Sequence, residues 1–466
     1  MFVGREKELA ALDKLYNEEN FQMVVIYGRR RIGKTTLINE FISKKPAIFF
    51  TAHEVNDALN LSRFSEKVYR FFDIPESAGG FKTWNDAFDF LAKKAEERRF
   101  VLAFDEFPYA VSANRALKSV LQTAIDHGYK KTGLFLILCG SHMGFMESEV
   151  LGYNSPLFGR RTAQIKLDGL DYYDAGKMLS GFSNENKIKL YACVGGTPHY
   201  LAQIKSSISF QENIRRLFFD ISGYLFNEPM MLLQQELREP AMYNSIITAI
   251  AGGASKLNEI STKIGEDSPK TSKYLQTLVN LQIINKTYPF GENPQNSRRG
   301  IYSIADNCYA FWYKFVFLNK PEIESGSGDL IADMMVFGDE LSSYIGKPPF
   351  EKICLQFLQR INRKGELPFT ATSFGSWWGS DPQTKSQSDF DVVAANRKDK
   401  QIVLGECKWS DNVNAVAEFQ KLASKEYLLG EYKDRYYYLF TKSAAKSATE
   451  GHGNLTHVSV DMLFGV

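Results

Sequence analysis

The sequence predicts an α/β fold spread over several domains, and three patterns carry this prediction. Apolar runs such as residues 21–27 end in glycine-rich or acidic turns and are followed by helical periodicity, as in a parallel sheet flanked by helices. Residues 242–305 contain three helical patterns followed by two short strand patterns. Residues 388–409 form two apolar strand patterns around a polar turn, with charged residues gathered at one end.

Length and composition limit the class of protein. The chain has 466 residues, enough for about three domains of typical size, and 44% of the residues are hydrophobic. A formal net charge of only +2 means that any nucleic-acid surface has to be a local patch. The five cysteines are scattered without a CxxC pair, which argues against a disulfide framework or a zinc cluster. The charged amino terminus and the lack of long apolar runs predict a cytoplasmic protein with no membrane partner.

The first strand pattern leads directly into GRRRIGKTT and then into an amphipathic helix. Two glycines separated by four residues and followed by Lys34 and Thr35 match a phosphate-binding P-loop in the strand–loop–helix context that it requires. Backbone N–H groups and the helix amino terminus attract phosphate, while Lys34 reaches the outer phosphates and the Thr35 hydroxyl ligates Mg²⁺. ATP and Mg²⁺ are therefore the predicted cofactors. The predicted nucleotide-binding residues of the loop are Gly28, Arg29, Arg30, Arg31, Ile32, Gly33, Lys34, Thr35 and Thr36.

A second strand pattern, residues 100–107, ends in two acidic residues. Beside a P-loop, Asp105 is predicted to join the Mg²⁺ shell, and Glu106 to be the catalytic group that polarises the attacking water. The alternative is an acidic helix cap after a strand. Further along, PLFGRRT offers Arg160 and Arg161. Either arginine fits a finger that contacts the nucleotide, and both also fit plain surface charges.

Over residues 2–201 the chain resembles the prokaryotic AAA+/STAND ATPases known as archaeal-type ATPases. The motifs GRRRIGKTT, FVLAFDEF, LILCGS, PLFGRRT and GGTPHYL occur in the order of that family, and FVGREKELAAL resembles its start. The resemblance implies that Ser141 contacts the γ-phosphate or the attacking water, and that the backbone at Gly4 and Arg5 borders the adenine pocket. It also implies slow or switch-like hydrolysis and nucleotide-controlled assembly into a homo-oligomer. Residues 195–198 lack the lid arginine of many AAA+ proteins and are similar to the GGxP motif of the STAND branch.

Three helical patterns and a hairpin over residues 242–305 predict a winged helix-turn-helix. The polar positions of its third helix and two arginines of the wing would meet the major groove and the phosphates of double-stranded DNA. These residues are Lys270, Thr271, Lys273, Tyr274, Gln276, Arg298 and Arg299. The alternative, favoured by the nearby acids Glu259, Glu266 and Asp267, is a winged helix that only packs against the ATPase and holds it closed.

The last pattern has a defined geometry. With its turn at residues 397–400, the hairpin places Asp391 opposite Glu406 and Asp389 opposite Lys408, on one face and at one end. Opposed carboxylates repel each other, and the usual remedy is a bound Mg²⁺. A lysine beside them can stabilise the charge of a phosphate under attack.

This arrangement resembles the PD-(D/E)XK core of restriction-endonuclease-like domains. Asp391 matches the aspartate of that core, Glu406 and Lys408 match its E-x-K, and Glu351 stands in the first turn of an upstream predicted helix. The resemblance implies a nuclease in which Asp391, Glu406 and Lys408 are catalytic. The alternative is a salt-bridged strand pair in a domain of this fold that does not cleave. The predicted metal ligands of the whole chain are Thr35, Asp105, Glu351, Asp391 and Glu406.

The predicted domains follow from these boundaries. They are a P-loop AAA+/STAND-like core at residues 1–170, a helical lid at 171–237, a winged helix at 238–318 and an α/β restriction-endonuclease-like domain at 330–466, with a linker or exposed loop at 319–329. The predicted function is an ATP-hydrolysing P-loop ATPase coupled to a Mg²⁺-dependent DNA nuclease or DNA-binding domain, in defence against foreign DNA or in DNA processing. The alternative is a nucleotide-switched signalling or interaction ATPase whose nuclease-like domain does not cleave.

Overall fold

The computed structural model describes residues 2–75, 77, 79–237, 239–443 and 454–465, and these residues form two compact units. The first unit is built from the chain up to Gly169 together with Thr197–His199. The second contains Leu170–Gly196 and the described residues from Tyr200 onward. Within the described ranges, none of the helices combines the length and the apolar character that crossing a membrane demands.

The first unit is a parallel α/β domain. Its sheet has the strand order β2-β3-β4-β1-β5, and each neighbouring pair of strands runs parallel. The strands are β1 (Gln22–Tyr27), β2 (Ala47–Thr51), β3 (Val101–Asp105), β4 (Phe135–Gly140) and β5 (Ala163–Lys166). The helices are α1 (Glu6–Tyr16), α2 (Lys34–Ile42), α3 (Asp57–Phe71), α4 (Trp84–Glu97), α5 (Phe107–Ala113), α6 (Leu117–His127) and α7 (Met143–Phe145).

Burial explains why the central strands of this sheet are uninterrupted apolar runs. Every residue of β1, β3 and β4 is buried. Alternate residues of β1 enter two different cores, with Met23 and Val25 in one core and Val24 and Ile26 in the other. Both faces of the sheet are therefore covered, as expected of a parallel sheet, and the predicted parallel sheet is confirmed.

The second unit is helical in its first part and mixed α/β in its second. The helices of the first part are α8 (Tyr172–Met178), α9 (Asn184–Val194), α10 (Pro198–Leu201), α11 (Phe210–Ile214), α12 (Glu228–Glu236), α13 (Pro240–Ala251), α14 (Leu257–Ile264), α15 (Ser268–Asn280), α16 (Asn307–Phe311), α17 (Lys320–Glu322), α18 (Gly328–Ile331) and α19 (Asp339–Ile345). Single π-helical turns lie at Met146–Val150 in the first unit and at Arg215–Phe219, Trp312–Val316 and Ala332–Val336 in the second. Two further helical segments of the second unit, Ile323–Ser327 and Gly346–Phe350, are kinked at Gly326 and Lys347. Short 3₁₀ turns lie at Tyr129–Lys131 in the first unit and at Phe317–Asn319 and Glu426–Leu429 in the second.

The second part is a mixed sheet with the strand order β12-β11-β10-β9-β8. Its strands are β8 (Ser373–Ser380), β9 (Gln387–Asn396), β10 (Gln401–Lys408), β11 (Asp434–Thr441) and β12 (Leu455–Ser459), and its helices are α20 (Glu351–Lys364), α21 (Ala415–Ser424) and α22 (Val460–Phe464). Strands β8, β9 and β10 pair antiparallel, whereas β10, β11 and β12 pair parallel.

The hairpin β9–β10 has the register that the sequence predicts. Gln401 pairs with Asn396 at the turn, and Gly405 pairs with Val392 at the last recorded pair of the ladder. One further step along the same register sets Glu406 opposite Asp391. The acidic residues therefore come to one end of the hairpin because its apolar pattern and its turn fix the alignment.

The segment after α12 contains three helices and a hairpin in the predicted order. Helices α13, α14 and α15 are followed by the antiparallel strands β6 (Ile284–Thr287) and β7 (Ile301–Ile304). On α15, Thr271 is buried with its hydroxyl donating to the Asp267 carbonyl, and Lys270 pairs with Glu266 at 2.9 Å. Two of the positions predicted to face DNA are therefore engaged within the segment itself.

The loop between β6 and β7 packs on β8, the edge strand of the mixed sheet. The Phe290 N–H donates to the Ser376 carbonyl at 2.8 Å, and the Phe290 ring is buried in the core of that sheet. Arg299 pairs with Glu292 and donates to the Trp378 carbonyl at 3.2 Å. The phosphate contact predicted for Arg299 would require these bonds to break, because the edge strand already binds this arginine.

Residues 319–329 correct the prediction of a linker or exposed loop. Asn319 ends a 3₁₀ turn, and the residues after it form α17, a helical segment kinked at Gly326 and the start of α18. Ile323 is buried in the core, and a Cβ added to Gly328 would lie 1.9 Å from the Phe219 carbonyl oxygen. Gly328 therefore permits a close approach between two backbone segments, which composition alone does not distinguish from flexibility.

Candidate functional site

The loop between β1 and α2 has the backbone of a phosphate cradle. Gly33, which precedes α2, has a φ of 93°, and Arg31 has a φ of 68°, so the chain turns through left-handed conformations just before the helix. At the start of the loop, a Cβ on Gly28 would lie 2.4 Å from the Leu167 carbonyl oxygen. The N–H groups of such a turn and the amino end of α2 together attract anions.

Lys34 lies inside this loop. It is only 5% exposed, and its Nζ donates to the carbonyl oxygens of Gly28 and Arg29, both at 2.9 Å. Burial lowers the pKa of the Lys34 ammonium. Because an ammonium has three N–H donors, the two bonds to the loop leave one for a phosphate oxygen.

Thr35 and Asp105 meet at the carboxyl edge of the parallel sheet. Thr35 Oγ1 donates to Asp105 Oδ2 at 2.9 Å, and Asp105, the last residue of β3, is buried. Burial, with Asp105 as a neighbour, raises the pKa of the Cys139 thiol on β4, so this sulfur stays neutral. A hydroxyl and a carboxylate suit Mg²⁺, which takes its remaining ligands from water and phosphate. The pair fits the metal ion of a bound nucleotide.

Glu106 is held by a strained backbone and by Ser141. Its φ of 50° lies in the left-handed region, which costs a non-glycine residue about 1–3 kcal/mol and persists where surrounding contacts enforce it. The Glu106 carboxylate accepts a hydrogen bond from Ser141 Oγ at 2.9 Å and another from the Ser141 N–H at 3.3 Å. The structure thus brings together two predicted residues that follow different strands.

The Arg5 side chain also supports the P-loop, which the sequence did not predict, because only the Arg5 backbone was expected to border the adenine pocket. Its buried guanidinium donates to the carbonyl oxygens of Ile32 in the P-loop, at 3.2 Å, and of Asp168, at 2.6 Å. From the GGTPHYL segment, Pro198 lies 3.9 Å from the position that a Cβ would take on Gly33. The resemblance of FVGREKELAAL to the start of the family was the feature of the sequence that could have pointed to this side chain, since a single arginine has no recognisable pattern.

Arg160 has a partner that the sequence did not predict. Its Nε donates to both carboxylate oxygens of Asp126 at 3.1 Å, and its Nη1 donates to the Pro156 carbonyl at 2.7 Å. Hydrogen bonds from Arg160 and then Lys130 lower the pKa of Asp126 to about 2. Contact between Arg160 and a nucleotide would need these bonds to break, so its role as a finger stays a prediction.

The second candidate site lies beside the first half of β9, the end of β10 and the start of α20. Glu351, Asp391, Glu406 and Lys408 line one cavity of about 410 Å³. The structure therefore brings together the four residues that the sequence assigned to this place. They come from two neighbouring strands and from the first residue of a helix that is distant in sequence.

Asp391 and Glu351 are neighbouring acids with little exposure to solvent. The Cys407 N–H donates to Asp391 Oδ2 at 2.8 Å. Burial and then the charge of Glu406 raise the pKa of Asp391, and burial and then Asp391 raise the pKa of Glu351. Carboxylates that are buried beside other carboxylates are stabilised either by taking up a proton or by a cation close to them.

Lys347, which the sequence reasoning did not assign, supplies such a cation. Its Nζ lies 3.1 Å from Glu351 Oε1, 3.3 Å from Asp389 Oδ2 and 3.7 Å from Asp391 Oδ1. Burial alone would lower the pKa of Lys347, but these carboxylates together raise it. The available signal was its place four residues before Glu351, which is a common ion-pair spacing, although two prolines intervene.

Glu406 is bound by two lysines. Lys408 Nζ lies 2.8 Å from its Oε1, and Lys425 Nζ lies 3.2 Å from its Oε2. Lys425 also donates to the Asp389 carbonyl at 2.6 Å. Lys408 was predicted from E-x-K, whereas Lys425 follows α21 and no local pattern marks it.

These lysines correct the electrostatic argument made from the sequence. That argument took a bound Mg²⁺ as the usual remedy for the repulsion between opposed acids, whereas Lys347 and Lys425 bring positive charge from other segments. In the part of the chain that the structure describes, no group of three or more His, Cys, Asp or Glu side chains is arranged to hold a metal ion. Carboxylates are nevertheless the ligands that Mg²⁺ and Mn²⁺ prefer, so the chemical type of Glu351, Asp391 and Glu406 fits such an ion. In this structure the same carboxylates are paired with lysines.

The fold and the loop of the first unit define a P-loop ATPase domain, and comparison with known proteins agrees. A family model described as an ATPase domain predominantly from Archaea matches residues 2–204. A second model, described as archaeal and bacterial proteins of unknown function, matches residues 312–421 and so includes most of the second candidate site.

A relative that is similar over most of its length establishes the family of this chain. The chain is 31% identical over 411 residues to an uncharacterized protein of Methanocaldococcus jannaschii, covering 88% of each chain. The chain belongs to the same family as this relative, and in this chain the archaeal ATPase domain is followed by the domain of unknown function. A 45-residue stretch is 47% identical to an uncharacterized ATP-binding protein of the same organism, covering 10% of this chain and 76% of that protein.

A solved structure shares the fold. The Walker-type ATPase of Pyrococcus abyssi has a TM-score of 0.52 and 20% identity, over 67% of this chain and 96% of that chain. The predicted P-loop ATPase is therefore confirmed at the level of family and fold. The winged helix and the restriction-endonuclease-like domain stay predictions.

Proposed function

We propose that this chain is a Mg²⁺-dependent ATPase whose nucleotide cycle controls a second, metal-dependent site that cleaves double-stranded DNA. The observation that carries the proposal is the gathering of Glu351, Asp391, Glu406 and Lys408 in one cavity of a chain that also has a P-loop. A cluster of acids beside a lysine is a chemical set suited to phosphodiester hydrolysis.

In the first site, each side chain has a distinct task. Thr35 and Asp105 are the residues that would hold Mg²⁺, whose chemistry there would be to neutralise the charge of the phosphates. Lys34 donates to the outer phosphate oxygens, and Glu106 orients and polarises the attacking water. Ser141 positions Glu106 through the two hydrogen bonds that it donates to the carboxylate.

In the second site, Asp391, Glu406 and Glu351 are the residues that would hold a divalent ion, whose chemistry there is to neutralise and polarise a phosphate. Lys408 lines the cavity, and its ammonium contacts Glu406. From there it can donate to the phosphate oxygen that gains negative charge when water attacks the phosphodiester. The Cys407 N–H, near the end of β10, donates to the Asp391 carboxylate and holds it in place. These tasks are those of a restriction-endonuclease-like core.

For residues 242–305 we favour a role in holding the nuclease-like domain. The loop that was expected to act as a wing packs on β8, and Arg299 is bound there. Lys273 and Gln276 remain exposed on α15 and would be the DNA-facing residues if the segment also touches a duplex.

A second candidate function is a nucleotide-switched interaction protein whose last domain binds without cutting. The pairing of lysines with all of the acids in the second cavity favours it, because such a cluster is stable without a metal ion. Assembly into a homo-oligomer would fit either function.

Plasmid cleavage separates the two candidates. Supercoiled DNA is incubated with the full chain and Mg²⁺ or Mn²⁺, and nicked product is measured for the wild type, Lys408→Ala and Lys398→Ala. Lys398 is the matched control, because it is exposed in the turn at the other end of the same hairpin. The nuclease function predicts nicking that only Lys408→Ala abolishes, and nicking that survives Lys408→Ala would contradict it.

A further inference from the structure

Lys347 occupies an unusual position among the lysines of the second site. Its ammonium lies within 3.7 Å of the carboxylates of Glu351, Asp389 and Asp391, which come from two different elements. All four residues line the cavity of about 410 Å³. A single ammonium thus pairs with three carboxylates, which are also the kind of ligand that a divalent cation prefers.

The other two lysines are placed differently. Lys408 and Lys425 bind the two oxygens of Glu406, and the Lys425 side chain is 18% exposed. The Lys347 side chain is 65% exposed, although its nitrogen reaches three acids. A long side chain exposed to this degree can turn into water, because its ammonium is readily hydrated there.

We propose that Lys347 is a built-in counter-ion, which takes the cation position between Glu351 and Asp391 and must leave before a divalent ion binds. The inference rests on the proposed function, since it assumes that this site takes Mg²⁺ or Mn²⁺. An ammonium and a metal ion within about 4 Å of each other repel strongly, so the two occupants exclude one another. Lys347 therefore sets how tightly the site binds metal.

The test is a calorimetric titration of the full chain with Mn²⁺ in the absence of nucleotide. Heat that is lost in Asp391→Asn identifies binding at this site. Lys347→Met removes the charge and keeps most of the stem, and we expect it to bind Mn²⁺ about tenfold more tightly than the wild type. Lys347→Arg keeps the charge and should bind as weakly as the wild type.

Lys364→Met is the matched control. Lys364 ends α20, about 20 Å along the helix from Glu351, and is exposed. This variant should bind Mn²⁺ like the wild type. A thermal melt of each variant shows that the fold is retained.

The outcomes separate the inference from the proposed function. Tighter binding in Lys347→Met, or Asp391-dependent binding only in that variant, supports the counter-ion role. Equal or weaker binding in Lys347→Met overturns the role of Lys347 and leaves the metal site standing. If neither protein shows Asp391-dependent binding, the metal-dependent function falls, and the inference falls with it.

Discussion

At the scale of single residues, the nucleotide site depends on side chains whose positions the backbone around them enforces. Lys34 is fixed by two carbonyl oxygens of its own loop, and Glu106 is fixed by a left-handed turn and by Ser141. Groups whose positions are fixed by the surrounding protein are the ones that stabilise a transition state electrostatically with little reorganisation.

Lys34→Ala should lower ATP hydrolysis by about 10²-fold or more, because it removes the ammonium that meets the charge of the outer phosphates. The measurement is phosphate release at saturating ATP and Mg²⁺. Lys44→Ala, an exposed lysine just beyond the same helix, is the control and should keep the wild-type rate. Normal ATP turnover by the Lys34→Ala protein would contradict the assignment of the ATP site to this loop.

Glu106→Gln should lower the rate of hydrolysis by about 10²-fold or more and leave ATP binding close to the wild type, since the amide cannot act as a base. Ser141→Ala should cost about tenfold in rate, because it loosens the orientation of Glu106. Nucleotide affinity and single-turnover hydrolysis are measured side by side. Loss of ATP binding together with activity would show that Glu106 has a structural role instead.

At the scale of elements, the sequence determines the register of the hairpin β9–β10 but not the packing of the β6–β7 loop on β8. The register of the hairpin follows from local alternation and a short turn, so the alignment of Asp391 opposite Glu406, one step beyond the paired residues, was predictable. Docking of the loop on an edge strand depends on packing between segments distant in sequence. An edge strand has unpaired backbone groups, and the Phe290 N–H satisfies one of them.

Phe290→Ala should destabilise the second unit by about 3–4 kcal/mol, because its buried ring leaves a cavity between the loop and the sheet. Calorimetric unfolding of the full chain measures this change. Gln295→Ala, an exposed residue of the same loop, should stay within about 0.5 kcal/mol of the wild type. Similar stability in the two variants would mean that the loop is not part of the core.

The same distinction explains what the sequence could and could not predict about the sites. The P-loop, Asp105 and Glu106 lie in contiguous motifs, and Asp391, Glu406 and Lys408 lie in one hairpin, so their positions followed from pattern and register. Lys347 and Lys425 approach the acids from other segments, and only the tertiary fold places them there. The helical nature of residues 319–329 was also hidden, because close packing of glycine depends on Phe219 far upstream.

At the scale of the whole molecule, the chain joins an archaeal-type ATPase domain to a second unit with its own cluster of charged residues. In the proposed function, the state of the nucleotide determines the rate at which the second site cuts DNA. Such control is a coupling free energy between two sites, and a variant that cannot use ATP should abolish the coupling but not the second site itself.

The most direct test is the rate of plasmid nicking with and without ATP, measured for the wild type, Lys34→Ala and Asp391→Asn at the same Mn²⁺ concentration. We predict that ATP changes the wild-type rate by at least about fivefold, that Lys34→Ala nicks at a rate that ATP does not alter, and that Asp391→Asn does not nick. A wild-type rate that is the same with and without ATP, or nicking by Asp391→Asn equal to that of the wild type, would contradict the account.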